Sequence, residues 1–368
     1  MPQTEPPSEA LIRFDGVGMT YADGTVAVGR LDLDVAAHEL LTLVGPSGSG
    51  KSTLLRMVNR LVEPTSGRVL LEGEDVSRMD AARLRRGIGY VIQDVGLFPH
   101  RTVAQNVATV PGLLGWDRRR TRERVEELLT LVRLDPAVHG PRYPHELSGG
   151  QRQRVGVARA LATHPKVMLM DEPFGAVDPE GRRSLQSELR RIHDELGTTV
   201  LLVTHDIDEA VMLGDRVAVL SQGGRLEQLA PPSTLLSRPA NAFVEGFIGD
   251  ARAVKLLGLT ELLRADVEPS SALSRADAAR RRGARPSRAA PPAAPTVRLG
   301  DTLGTAFSAL ATAEQGMVTV VDDVGSAVAP SPRPGCTPPS AGRSGPTRAE
   351  DCRVRPRARA GPCRGAAG

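Results

Sequence analysis

Between residue 11 and about residue 250, short apolar runs alternate with stretches of helical apolar spacing. ELLTLVG (39–45) is an apolar run of strand length, and STLLRMVNRL (52–61) follows it with helical spacing. RVLLEG (68–73) and IGYVIQ (88–93) read as strands, and RRRTRERVEELLTLVR (118–133) as an amphipathic helix. VMLMDEP (167–173) is a strand of the fully buried type that stops at a proline. TTVLLVTHD (198–206) is another, followed by the helix DEAVMLG (208–214). DRVAVL and GRLEQL (215–229) form a closing hairpin, and VGRLDLDVAAHE (28–39) adds antiparallel strands ahead of the first glycine loop. This alternation predicts an α/β domain around a mostly parallel sheet.

The pattern fails after about residue 264. Residues 251–295 connect, and SRADAARRRGARPSRAAPPAAP (274–295) has the composition of a flexible Arg/Ala/Pro linker. Residues 296–325 regain periodicity as TVRL, then DTLGTAFSALATAEQG, then MVTVVDD, a β-α-β unit about half the size of a small domain. From Ser326 to Gly368 there is no Leu, Ile, Met, Phe, Tyr or Trp, so a disordered tail is expected. So abrupt a break also fits an out-of-frame reading of a GC-rich gene, which resequencing the 3′ end would test.

Composition narrows the function classes. The 47 Lys plus Arg against 43 Asp plus Glu give a net charge of +4, and much of the excess is arginine after residue 274. Nucleic-acid binding is therefore not expected. No apolar run reaches the length of a membrane span, and the polar N-terminus lacks the regions of a signal peptide, so the default compartment is the cytosol. All three cysteines lie in the last 33 residues without zinc-type spacing, which leaves the folded part no cysteine redox or metal chemistry.

Only three of the cationic residues are lysines: Lys51, Lys166 and Lys255. One of them, Lys51, stands inside GPSGSGKST (45–53), where a compact ammonium is needed and a guanidinium would not serve. Gly45, Gly50, Lys51 and Ser52 fit G-x-x-x-x-G-K-[ST]. In this pattern the backbone from Gly45 through Pro46, Ser47, Gly48, Ser49 and Gly50 to Thr53 curls so that several N–H groups face the phosphates, at the positive end of the following helix. Lys51 reaches the β- and γ-phosphates of ATP, and the Ser52 hydroxyl ligates Mg²⁺.

Two further pieces belong with it. VMLMDE places Asp171 and Glu172 at the carboxyl end of a buried strand, beside the phosphate loop. Asp171 would hold Mg²⁺ through water and Glu172 would polarise an attacking water. LSGGQRQRVGVARAL (147–161) opens a helix with Ser148, Gly149 and Gly150, a second anion site without bulky side chains. With one phosphate loop already present, the economical role for the second is a nucleotide held by another copy of the chain.

With LSGGQ, residues 11 to about 250 resemble the nucleotide-binding subunit of an ATP-binding-cassette transporter. The implied fold is a P-loop cassette: a mostly parallel sheet core, an antiparallel β subdomain and a helical signature subdomain. By resemblance Tyr21 stacks on adenine, although a Tyr before a turn can equally be packing. Gln93 senses Mg²⁺ and the attacking water, or is a loop residue. Asp178 crosses between two cassettes, or is only a helix N-cap. His205 contacts the γ-phosphate, or is structural. Gln151 completes the signature. The resemblance further implies two cassettes closing head to tail on two ATP molecules, transmembrane permease subunits, an extracytoplasmic substrate-binding protein, and a peripheral place on the cytoplasmic face of the membrane. No nucleic acid is implied.

The region after Gln93 would receive a permease coupling helix at Phe98 and Pro99, whose alternative role is ordinary loop packing. IGYVIQDVGLFPHRTVAQNVATVPGLLGW and NAFVEGFIGDARAVKLLGL look most like importers of quaternary-ammonium osmoprotectants such as glycine betaine, carnitine, choline or proline betaine. Residues 296–323 resemble the first β-α-β of a cystathionine-β-synthase-type (CBS) domain whose remainder is missing. The rival readings are an importer of amino acids, phosphonates or metal chelates, and a soluble cassette ATPase acting on ribosomes or DNA. The latter usually carry two cassettes or a long coiled coil, and neither is visible here.

Overall fold

Residues 10–175, 177–249, 252–259, 262, 267–269, 295–312, 318–322 and 352–354 are described by the computed structural model. The chain divides into two units, 1–250 and 251–368.

The first unit opens with β1 (Ala10–Thr20) and β2 (Val26–Ala36), paired antiparallel. β3 (Leu40–Val44) is buried at every position and feeds the glycine loop and α1 (Lys51–Val58). β4 (Ser66–Leu71) and β5 (Glu74–Asp75) complete a four-stranded antiparallel sheet in the order β2-β1-β4-β5. After α2 (Ala81–Gly87) and β6 (Ile88–Val91) the chain enters a helical region. It holds α3 (Val103–Val107), α4 (Thr109–Leu113), α5 (Arg118–Leu131), α6 (Pro136–His139) and α7 (Gly149–Ala160).

The chain then returns through β7 (Val167–Asp171), α8 (Pro179–Leu196), β8 (Thr199–Thr204) and α9 (Ile207–Leu213). β9 (Arg216–Ser221) and β10 (Arg225–Ala230) form the closing hairpin, and α10 (Pro232–Ser237) and α11 (Ala242–Ile248) end the unit.

The second sheet has the order β10-β9-β3-β8-β7-β6, parallel except for β10. Its central strands β3, β8 and β7 are apolar on both faces because both faces are covered. Alternate residues serve two cores. Leu41, Leu43, Leu169, Leu201 and Val203 join Phe14, Leu31 and Leu33 of the antiparallel sheet and Leu54 and Leu55 of α1. Leu40, Met168, Met170, Val200 and Leu202 pack with Leu128, Leu129, Val155 and Leu189 of the helices. A run such as VMLM is thus the two-sided strand its composition predicts. The expected mostly parallel core, antiparallel β subdomain and helical region are all present.

The second unit contains α12 (Arg252–Leu259), β11 (Val267–Pro269), β12 (Thr296–Arg298), α13 (Leu303–Thr312), β13 (Thr319–Val321) and β14 (Cys352–Val354). β12 and β13 are parallel, and Val297, Ala306, Val318 and Val320 are buried with Leu262. This is the expected β-α-β unit. The linker expected over 274–295 lies outside the described residues except for Pro295. So does the tail, except that Cys352–Val354 pairs antiparallel with Val267–Pro269. Ladder bonds between backbones need no large apolar side chain, so composition gives no hint of such a strand.

Candidate nucleotide-binding site

Strand order sets the site. β8 lies between β3 and β7, so three carboxyl ends stand side by side. They deliver the glycine loop, the Thr204–His205 turn and the Asp171–Glu172 pair to one edge, where open α/β sheets bind ligands.

In the glycine loop, Lys51 is buried and its Nζ donates to the carbonyls of Gly45 (2.8 Å) and Pro46 (2.9 Å) and to Ser49 Oγ (3.3 Å). The ammonium thus sits folded over its own loop. Burial pushes its pKa below the ordinary lysine value, against the opposing pull of the Glu172 and Asp171 carboxylates. Gly50 caps α1 at φ +80° with no side-chain hydrogen bond, and the first turn carries no acidic residue. The amides at this helix end therefore stay open to an anion.

Ser52 Oγ donates to Asp171 Oδ1 at 2.8 Å, across the sheet edge. Asp171 is buried, and its other oxygen lies 3.9 Å from Arg56 Nη2. A hydroxyl beside a carboxylate is a hard-oxygen donor set that fits Mg²⁺. Among the described residues no group of three or more His, Cys, Asp or Glu is placed to hold a metal ion. A cation here would therefore share its shell with substrate oxygens, as Mg²⁺ does in phosphate sites.

Three expected catalytic residues meet at Glu172. Gln93 Nε2 donates to Glu172 Oε2 at 3.2 Å, and His205 Nδ1 lies 3.3 Å from Glu172 Oε1. Glu172 itself has φ +45°, unusual for a non-glycine residue, and its N–H donates to Val203 O at 2.9 Å. The strain is of the kind that persists where surrounding structure over-determines a functional residue. Tyr21 is exposed, and its hydroxyl lies 3.2 Å from Thr53 Oγ1, which sets the ring beside the end of the loop.

The signature residues stand apart. Ser148 Oγ accepts from the Gln151 N–H (3.2 Å) while Gln151 Oε1 accepts from the Ser148 N–H (3.0 Å), a capping box at the start of α7. Gly149 and Gly150 form its first turn. Among the described residues, none of these four has a hydrogen bond to residues 45–53. Asp178 caps α8 by accepting from the Gly181 N–H at 2.8 Å, the structural role that was the alternative for it. Phe98 is exposed under Arg101, and the buried Asn106 clamps the turn below it.

Sequence reasoning missed two supports. Below His205, the Thr204 hydroxyl donates to the buried Glu209 at 2.5 Å, and Gln186 Nε2 donates to its other oxygen at 3.3 Å. Beside the loop, Gln222 Nε2 donates to Ser47 O at 3.1 Å. Each is a single polar residue with no spacing to mark it. Only the Gly-Gly after Gln222 signals a tight turn.

Known proteins can now be set beside this geometry. Residues 28–175 match the ABC transporter family. Over 245 residues the chain is 49% identical to the glycine betaine/carnitine/choline transport ATP-binding protein OpuCA of Bacillus subtilis, covering 67% of this chain and 64% of that protein. Over 250 residues it is 53% identical to the glycine betaine uptake system ATP-binding protein YehX of Escherichia coli, covering 68% and 80%. The chain spans between 60% and 64% of OpuCA and of the osmoprotectant import protein OsmV of Salmonella typhimurium. Among solved structures, the dimeric bacterial ABC transporter cassette MJ0796 matches with a TM-score of 0.55 and 34% identity, covering 60% of this chain and 98% of that one. With its phosphate loop, its strand-end carboxylates and its signature helix, the chain belongs to the ATP-binding-cassette transporter family.

Proposed function

We propose that this chain is the ATP-hydrolysing subunit of an importer that takes up quaternary-amine osmoprotectants. The convergence of Gln93, Glu172 and His205 beside Lys51 and the Ser52–Asp171 pair carries the ATPase reading. The glycine betaine, carnitine and choline systems named among its relatives support the solute class.

The backbone N–H groups of the 45–53 loop, Pro46 excepted, and Lys51 bind the ATP phosphates, and Tyr21 supports the adenine. Magnesium held by Ser52, with Asp171 and Gln93 beside it, would supply positive charge to the phosphate oxygens. Glu172 accepts a hydrogen bond from a water and orients its oxygen toward the γ-phosphorus. His205 and Gln93 hold the Glu172 carboxylate from either side. As the bond to the ADP oxygen breaks and phosphate forms, Lys51 faces the charge that develops.

Ser148, Gly149, Gly150 and Gln151 act on the ATP of a second copy, with Asp178 near the line between the two. Their separation from their own chain's loop and the dimeric cassette among the solved neighbours support this. Two cassettes closing and opening would drive transmembrane permease subunits, one on each cassette near Phe98 and Pro99, fed by an extracytoplasmic binding protein. The chain would then sit peripherally on the cytoplasmic face. Among the described residues no helix is long and apolar enough to cross a membrane.

The sulfate/thiosulfate import ATP-binding protein CysA of Caulobacter vibrioides is 50% identical over 234 residues. The solute thus differs between relatives of similar identity, and an importer of another small solute is the alternative. Labelled glycine betaine uptake at high osmolarity separates the two, in cells lacking their own osmoprotectant systems and given this subunit, its permease and its binding protein. Uptake that disappears with Glu172→Gln supports the first reading. No uptake from an assembled, ATP-hydrolysing complex favours the second.

A further inference from the structure

The phosphate loop has a support outside the motif that defines it. The end of β9 and the turn Gln222–Gly224 that follows it each lie against the loop. At the loop's start, a Cβ on Gly45 would stand 2.1 Å from Leu220 O, so the end of β9 touches the backbone there. At the loop's crest, Gln222 Nε2 donates to Ser47 O at 3.1 Å. The turn packs closely on β2 as well, where a Cβ on Gly224 would meet Val28 Cα at 2.9 Å.

The Ser47 carbonyl belongs to the same planar peptide as the Gly48 N–H. In a trans peptide these two groups point in opposite directions. A donor that holds the carbonyl outward therefore turns the N–H inward, toward the concavity that receives phosphate. Gly48 has φ +78°, a conformation open to glycine and equally open to a peptide flip that would aim the carbonyl at the phosphate instead. Among the described residues, Gln222 is the one side chain outside the motif that bonds to the crest, residues 46–49. The crest's other bonds, from Lys51 and from Ser49, come from within the motif.

We infer that Gln222 is a positioning residue for nucleotide binding: its amide fixes the Ser47–Gly48 peptide so that the Gly48 N–H faces the bound phosphate. This rests on the proposal that the loop binds ATP. The side chain is exposed, so it acts through the loop rather than through the fold.

The test is calorimetric binding of ATP and ADP to the full chain, with thermal melting alongside. Gln222→Met keeps the shape and removes the donor. It should weaken both nucleotides about ten-fold, the effect of one lost hydrogen bond, with the melting temperature unchanged. Gln222→Lys restores a donor and should recover most of the affinity. In steady state the Met variant's loss should fall on KM rather than on kcat. In the wild-type chain, the Gly48 amide should gain protection from hydrogen exchange when ADP is added. Equal affinity of the wild type and Gln222→Met, or no protection at Gly48, overturns the assignment while the ATP reading stands. Failure of the wild type to bind either nucleotide removes both.

Discussion

Lys51 shows how much a single residue discloses. Its ammonium fits among two carbonyls and a hydroxyl that the loop folds around it, and a planar guanidinium has no room to make the same three bonds. Lys51→Arg should therefore cost ATPase activity about 100-fold or more, close to Lys51→Met, although it keeps the charge. A steady-state assay of both variants decides the point, and an active Arg variant would show that charge alone matters. Glu172→Gln should behave differently. Its amide still fills the place between Gln93 and His205 but accepts protons poorly, so hydrolysis should fall about 10²- to 10⁴-fold while ATP binding persists. Turnover and nucleotide affinity measured on the same preparation separate the two effects. These residues were legible because the chemistry fixes their spacing: G-x-x-x-x-G-K-S within one turn, and two acids ending a buried strand. Gln222 and Glu209 were not, since a polar residue that supports a loop from a distant strand or helix obeys no local period.

At the scale of elements, legibility followed burial. β3, β7 and β8 face two cores at once, so their apolar runs are continuous and read directly. β1 is longer than any of these yet hidden. Its pairing with β2 shifts register between Phe14 and Val17, which breaks the alternation that would have marked it. The short helices of the helical region depend on caps and tertiary bonds rather than periodicity. Asn106 is the strongest case: fully buried in α3, it accepts from the Phe98 N–H and donates to the carbonyls of Phe98, Arg101 and Thr102. Asn106→Leu should leave the Phe98 N–H and the Arg101 carbonyl without these bonds and lower the urea-unfolding free energy by about 1–3 kcal/mol. It should also loosen the exposed Phe98 turn, and an unchanged denaturation midpoint would refute the clamp. The α9 support adds a pH signature. Burial raises the Glu209 carboxyl above its ordinary pKa, against the lowering hydrogen bond from Thr204. The folded chain then keeps this proton where the unfolded chain has released it. Its stabilisation is full below the ordinary carboxylate pKa and is lost as pH rises through the raised one. Glu209→Gln removes the linkage, so its unfolding free energy should fall less than that of the wild type as pH rises above the ordinary carboxylate range. Parallel profiles would exclude it.

Over the whole molecule, the decisive feature is what one chain leaves separate. Lys51 and its loop lie at the carboxyl edge of the sheet, whereas Ser148–Gln151 open α7 among the helices and satisfy one another in a capping box. If each signature serves a partner's nucleotide, a two-fold dimer contains two composite sites, each with a loop from one copy and a signature from the other. Lys51→Met should then inactivate both sites of its homodimer, and Ser148→Arg should do the same by filling the open helix end. In a heterodimer of the two variants, the loop of the Ser148→Arg copy faces the intact signature of the Lys51→Met copy. One site is whole and the other carries both defects. With random exchange half the dimers are mixed and each has one whole site, so an equimolar mixture should regain about a quarter of wild-type ATPase, provided the sites fire independently. Two inactive proteins that become active on mixing cannot be explained by a site contained in one chain. Mixtures that exchange subunits yet remain inactive would require either such a site or strict coupling of the pair. A tethered dimer with one wild-type copy tells these apart. With Lys51→Met in the other copy, the wild-type loop still faces an intact signature, so one site stays whole and coupling alone would silence it.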